Sequence, residues 1–153
     1  MTGATGEKSA CVFCDAAAQT RDELVLIRGE WSFVILNLYP YNNGHLMVVP
    51  IRHLASLAAL SAEETAEMMR FTRDAELALT EAYHPQGINV GINLGRAAGA
   101  GIEHHLHIHL VPRWTGDTNF MSVIGDTRVL PETLDETAAR LRPIFERLYQ
   151  DSQ

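Results

Sequence analysis

The chain has 153 residues, 46% of them hydrophobic and 20% charged, with a formal net charge of −7 at pH 7. That length suits one domain with one real core. The acidic balance argues against a nucleic-acid polymer or an anionic membrane as partner through bulk charge, while a small nucleotide held by local donors stays possible.

No apolar run reaches the roughly 18 residues of a membrane-spanning helix. Residues 1–9 are small and polar with no apolar signal-peptide core, so they are expected to be disordered and the protein cytoplasmic. Cys11 and Cys14 form a single Cys-x-x-Cys. In a reducing compartment such a pair suggests metal or redox chemistry over a structural disulfide, and it supplies half of a zinc ligand set. Residues 24–28 and 31–38, apolar runs separated by Gly29-Glu30, read as two strands of a hairpin. Residues 37–44 are a loop dense in turn residues. Residues 45–50 make a third strand, stopped by Pro50.

A long helix follows. Ser61 and Glu64 form a capping box. Met68, Phe71, Ala75, Leu79 and Ala82 recur at three- and four-residue steps, an apolar stripe for packing on a sheet. Glu63, Glu64 and Glu67 lie in the first turns, where the helix dipole favours them, and His84-Pro85 ends the helix with His84 exposed. Residues 87–94 are a fourth strand. Residues 95–101 hold three glycines, a loop whose amides can approach an anion closely, without the Gly-Lys-Ser/Thr of a P-loop. Residues 130–150 form a C-terminal helix with Leu134, Ala138, Leu141, Phe145 and Leu148 as its stripe, and Pro143 predicts a kink or a division into two short helices.

The most informative stretch is residues 104–113. His105, His107 and His109 alternate with Leu106, Ile108 and Leu110. On a strand the imidazoles would share one face, about 7 Å apart, with the aliphatic residues buried on the other. Histidine titrates near neutrality and its neutral nitrogen is a good ligand. The row therefore points to a metal site or to nucleophilic or acid–base catalysis. His104 is predicted to face the other way. The elements sum to about five strands, a long central helix and a C-terminal helix. Hairpin-length connections imply antiparallel pairing, hence α+β.

The run His105-Leu106-His107-Ile108-His109-Leu110-Val111 resembles the signature of the histidine triad family, His-φ-His-φ-His-φ-φ. The order Asn37, Pro40, Gly44-His45, Pro50, His53 is similar to that family's second signature. The resemblance implies a five-stranded antiparallel sheet with one long helix and a C-terminal helix, pairing as a homodimer into a ten-stranded sheet. It implies a domain over residues 10–153 with a C-terminal helical extension from about 130. His107 is then the nucleophile that forms a nucleotidyl–histidine on an α-phosphate. His109 donates to phosphate or leaving group, the carbonyl of His105 orients His107, and His45 is an additional histidine beside the row. Asn37 and Asn93 match substrate-contacting positions, and Gly99, Gly101 and Ile102 stand in the phosphate loop. That loop lacks the family's common Gln or Ser donor and is one residue longer. A structural zinc on Cys11, Cys14, His53 and His105 is implied, with no organic cofactor.

The segment Pro112-Arg113-Trp114 to Phe120 looks like the branch with bacterial diadenosine polyphosphate-cleaving members and fragile-histidine-triad relatives. The expected substrate is therefore a dinucleoside polyphosphate, an adenine nucleotide, with water or phosphate as acceptor. Leu38, Phe33 and Trp114 are candidates for the base pocket. A nucleoside phosphoramidate hydrolase, a non-catalytic nucleotide-binding module and a metal-dependent hydrolase using the histidine row itself are the alternatives.

Overall fold

Five short apolar segments with turn-forming connections build one antiparallel sheet. The computed structural model describes residues 11–19, 22–100, 104–117 and 131–153. In chain order these form α1 (Val12–Ala18), β1 (Val25–Arg28), β2 (Ser32–Leu36), β3 (Leu46–Pro50), α2 (Ala62–Tyr83), β4 (Gly87–Ile92), β5 (Ile108–Arg113) and α3 (Leu134–Asp151). Strand order is β1-β2-β3-β5-β4, antiparallel at every step. The expected α+β architecture is present, with the short helix α1 as an addition. Residues 1–9, expected to be disordered, and most of the segment after Asp117 lie outside the described residues. Among the described residues no helix is long and apolar enough to cross a membrane.

The two-residue period of the strands divides the core. Leu26, Val34, Leu36, Leu46, Val48, Ile108 and Leu110 bury against Met68, Phe71, Ala75 and Leu79 of α2 and against Leu141, Ile144 and Phe145 of α3. Val25, Phe33, Ile35, Met47 and Val49 bury on the opposite face with Cys11, Phe13 and Ala16. Each large side chain so buried contributes about 1.5–3 kcal/mol. Helix α1 covers the β1–β3 half of that second face. Among the described residues the β5–β4 half of it is left open, and this uneven cover leaves room for a site.

Helix α2 begins with the expected box: Ser61 Oγ accepts from Glu64 N at 3.1 Å and Glu64 Oε1 accepts from Ser61 N at 2.8 Å. It ends at His84, exposed and left-handed at φ 46°. Glu67 does more than answer the helix dipole. Its buried carboxylate accepts from Glu30 N, Trp31 N and Ser32 Oγ at 3.0, 2.9 and 2.6 Å, fastening the β1–β2 turn to α2. Gly29 is required there because a Cβ would stand 2.6 Å from Glu67 Cδ.

Two expectations about element boundaries are corrected. Pro143 does not divide the C-terminal helix, which is one element from Leu134 to Asp151. The proline is exposed, while Leu141, Ile144 and Phe145 bury on the other side. That burial offsets the roughly 3 kcal/mol an internal proline costs. The histidine strand begins at Ile108 rather than at 104. Before it the chain makes irregular contacts with the segment after β3: Leu106 N donates to Leu54 O at 2.7 Å.

Candidate active site and metal centre

Because β5 starts late, the three histidines do not form one even row. His107 and His109 stand together, ring centroids 4.6 Å apart. His105 turns away beneath them, fully buried, toward the start of α1. Two connected sites result.

The first is a Cys/His cluster. Cys11 caps α1 and Cys14 lies in its first turn, so one helical turn brings the two thiols together. Cys11 Sγ is 3.2 Å from His105 Nδ1, and Cys14 Sγ is 3.2 Å from His53 Nδ1 and 3.5 Å from His105 Nδ1. All four donor atoms lie within 4.8 Å of one another. Zinc bonds of about 2.0–2.3 Å in a tetrahedron separate donors by roughly 3.3–3.8 Å, so the donor set and its spacing fit that ion. The ring also has the right tautomer: His105 Nε2–H donates to Pro50 O at 2.7 Å, which leaves the Nδ1 lone pair facing the sulfurs. Burial, reinforced by the neighbouring Cys11, pushes the Cys14 thiol up to about 11.

The second site is the histidine centre above it. His107 Nδ1–H donates to His105 O at 2.9 Å, so its Nε2 carries the free lone pair. Phe13 packs on His107 at 5.0 Å between centroids and closes its α1 side. His45, at the entry to β3, accepts from Tyr41 N through Nδ1 at 3.1 Å, which puts its proton on Nε2. That proton faces His109 Nδ1 at 3.0 Å, so His109 in turn carries its proton on the outward Nε2. A chain of three hydrogen-bonding groups thus sets opposite faces for two neighbouring rings: His107 offers a lone pair and His109 offers an N–H. Burial holds His107 below the usual histidine value. Burial, reinforced by the neighbouring histidines, takes His45 and His109 down to about 4. The centre is neutral at pH 7.

Asn37 reaches the same ring from the side. Its Oδ1 accepts from Tyr39 N at 2.9 Å and its Nδ2 lies 3.4 Å from His45 Nε2. Asn93 is exposed and its Nδ2 donates to Gly99 O at 3.4 Å, holding the glycine loop, where Gly99 is left-handed at φ 91°. Gly101 and Ile102 lie outside the described residues. His104 is exposed. Of the three candidates for a base pocket, Phe33 is fully buried beneath α1 and cannot meet a ligand, whereas Leu38 is exposed and Trp114 half-buried. From the histidines an open cleft of about 390 Å³ runs over β4 and β5, lined by Tyr41, Asn89, Gly91, His109, Val111 and Arg113 among others. Tyr41, Asn89 and Arg113 were not singled out from sequence. The signal was available for Arg113, which continues the His109, Val111 alternation on the same face.

The HIT domain model matches residues 18–116. The protein belongs to the HIT family. Among its HIT relatives, a Mycobacterium tuberculosis protein named AP-4-A phosphorylase is 49% identical over 121 residues, covering 78% of this chain and 62% of the relative. The chain thus spans under two thirds of that relative's length. A Dictyostelium discoideum bis(5'-adenosyl)-triphosphatase is 28% identical over 132 residues, 82% of this chain and 88% of the relative. Among solved structures, a Zn-bound histidine triad family protein from Mycobacterium smegmatis superposes with a TM-score of 0.73 at 28% identity, covering 93% of this chain and 97% of that one.

Proposed function

We propose that this HIT protein cleaves dinucleoside polyphosphates at an α-phosphate through a nucleotidyl–histidine intermediate on His107. The observation that carries the reading is the opposed protonation of two touching rings. A neutral His107 with Nδ1–H tied to His105 O directs its Nε2 lone pair outward, and His109 presents an N–H beside it. In the first step Nε2 attacks the α-phosphorus, the N–P bond forms and the P–O bond to the rest of the polyphosphate breaks. His109 supports the charge on the departing or non-bridging oxygen, and the His105 carbonyl, a positioning group, supports the imidazolium that develops on His107. In the second step an acceptor oxygen attacks the same phosphorus and releases His107.

With inorganic phosphate as acceptor, diadenosine tetraphosphate gives ADP and ATP; with water it gives AMP and ATP. The name of the 49%-identical relative, a phosphorylase, favours phosphate. The fit of Cys11, Cys14, His53 and His105 to a tetrahedral ion, together with a Zn-bound structural relative, supports zinc at that cluster. A zinc ion held there would be structural: it would fix His105, whose carbonyl accepts from His107 Nδ1–H and so positions that ring. Asn37, Asn93 and the loop at Gly99, Gly101 and Ile102 are the substrate-contacting positions in this reading. The outer edge of β4 supports a homodimer continuing the sheet, and the cytoplasm, where such nucleotides occur, is the compartment.

Product analysis tests the reading: diadenosine tetraphosphate is incubated with and without phosphate, and nucleotides are separated. ADP with ATP in phosphate alone is expected. AMP in both conditions assigns water instead, and no cleavage in either overturns the activity.

A further inference from the structure

Which nitrogen of His109 carries the proton is decided by its neighbours, and the structure holds a contact for each answer. Tyr41 N donates to His45 Nδ1 at 3.1 Å, so His45 is protonated on Nε2 and donates to His109 Nδ1 at 3.0 Å. Asn37 favours the reverse. Tyr39 N donates to Asn37 Oδ1 at 2.9 Å, which turns the Asn37 Nδ2 donor toward His45 Nε2, 3.4 Å away. If the Tyr41 amide withdrew, His45 Nε2 would become the acceptor for Asn37 Nδ2, and His109 would donate to it from Nδ1. His109 would then turn a lone pair outward beside the lone pair of His107, with no donor left for a phosphate oxygen. The position of one backbone N–H therefore selects between the two states.

That N–H is held by the end of β5. The side chain of Asn42, the next residue, donates twice from Nδ2, to Pro112 O at 2.8 Å and to Asp117 Oδ2 at 2.9 Å. The Tyr41 ring itself lies 5.2 Å from Arg113 Cζ. Asp117 is a fixed acceptor. Its Oδ2 also takes Trp114 N and Arg113 Nε, both at 2.9 Å, and its Oδ1 takes Arg113 Nη2 at 2.7 Å. The Arg113 guanidinium holds the Asp117 carboxyl well below the usual carboxylate range, so it stays an acceptor throughout the neutral range.

The rest of the turn is fixed from α2. Asn42 O accepts from His45 N at 3.1 Å, Gly44 has a φ of 81°, and a Cβ there would stand 3.0 Å from Leu79 and Tyr83. The ties close into a ring. His109 and Arg113 share a strand, Arg113 fixes Asp117, Asp117 fixes Asn42, and Asn42 fixes the amide that sets His45 and so His109.

We infer that Asn42 and Asp117 are positioning residues for transfer to His107: by clamping the Tyr41 amide on His45 Nδ1 they keep the proton of His109 on Nε2, beside the nucleophile. The clamp works without touching substrate. Its value for transfer rests on the reading of the histidine centre given above, whereas its effect on the His109 ring is open to measurement in the free protein.

The test reads the tautomer directly. Nitrogen NMR of histidine-labelled protein at neutral pH separates protonated from bare ring nitrogens, and the His109 signals are assigned by their absence from His109→Gln. The wild type is expected to show a protonated Nε2 and a bare Nδ1. In Asn42→Ala the proton should move to Nδ1 in most molecules. Single-turnover transfer to His107 should slow about three- to tenfold, the worth of one hydrogen bond, with nucleotide affinity held within about twofold. Asp117→Asn keeps one acceptor oxygen for Asn42 and should shift the tautomer less, in the same direction; it decides the matter if Asn42→Ala does not fold. Glu67→Gln, destabilised at the opposite end of α2, should keep the wild-type tautomer. An unchanged His109 tautomer in the folded clamp variants, or an equal shift in Glu67→Gln, overturns the inference. A tautomer that follows the clamp in a protein whose wild type cleaves no dinucleotide overturns the activity alone.

Discussion

Glu67 and Gly29 offer a sharp test of how the sheet is attached to its helix. Glu67→Ala removes three hydrogen bonds to a charged acceptor, each worth about 1.5–3 kcal/mol. The amides of the exposed residues Glu30 and Trp31 recover water, whereas the fully buried Ser32 does not. The expected loss is therefore about 3–5 kcal/mol, a large part of the 5–15 kcal/mol typical of a domain. Gly29→Ala alone forces its Cβ, which would stand 2.8 Å from Glu67 Oε2, to push the carboxylate off the same donors, at a cost of about 2–3 kcal/mol. In the Glu67→Ala background the three atoms nearest that Cβ are gone, and the same substitution should cost less than about 0.5 kcal/mol. A double-mutant cycle in urea, followed by tryptophan fluorescence at constant m-value, should give a coupling of about 2 kcal/mol or more. Glu67→Gln provides the cycle in a less destabilised background. Additivity within about 0.5 kcal/mol would refute the argument, because it would mean that the carboxylate is free to leave its three donors.

Acid should unfold this protein through its histidines. His45 and His109 are held neutral down to about 4, while in the unfolded chain they charge near 6.5, so the unfolded state binds more protons in between and stability falls as pH drops from 6.5 towards 4. The limit is about 3 kcal/mol per ring, and a His45→Asn variant should show a shallower fall in melting temperature between those pH values. His109→Gln should slow transfer to His107 by about 10²–10⁴-fold, measured in a single turnover, with little change in nucleotide affinity. Purified in zinc, the wild type should hold one ion per chain by elemental analysis, and His53→Ala and Cys14→Ser should lose it on dialysis and melt earlier; equal zinc in all three would remove the cluster as its site. Sedimentation equilibrium should return twice the 17.0 kDa chain mass, and a monomer at micromolar concentration would contradict pairing through β4.

Much of this architecture was legible because its signals are local. The Ser61/Glu64 box, the stripe from Met68 to Leu79 and the glycine- and proline-bounded strands are written within a few residues of where they act. The histidine alternation was legible as chemistry but not as geometry. Whether a strand begins at 104 or 108 depends on Leu54 and Pro50, some fifty residues away, whose carbonyls take Leu106 N–H and the His105 ring. The role of Glu67 was hidden for the same reason, since its partners are 35 to 37 positions earlier. A proline can divide an isolated helix, but α3 stays one element because Leu141, Ile144 and Phe145 bury on its far side. The burial of Phe33 depended on α1, a helix of seven residues with too little sequence for its period to declare itself.

The central claim is that His107 becomes covalently nucleotidylated, and a rapid-quench experiment addresses it directly. The protein is mixed with diadenosine tetraphosphate labelled in an α-phosphate, quenched within one turnover, and digested for mass spectrometry. A peptide spanning residue 107 with an added AMP on the imidazole, formed as fast as ATP is released and absent from His107→Asn, is the predicted result. Release of ATP at the full rate with no adduct, or with an adduct on another residue, would contradict it.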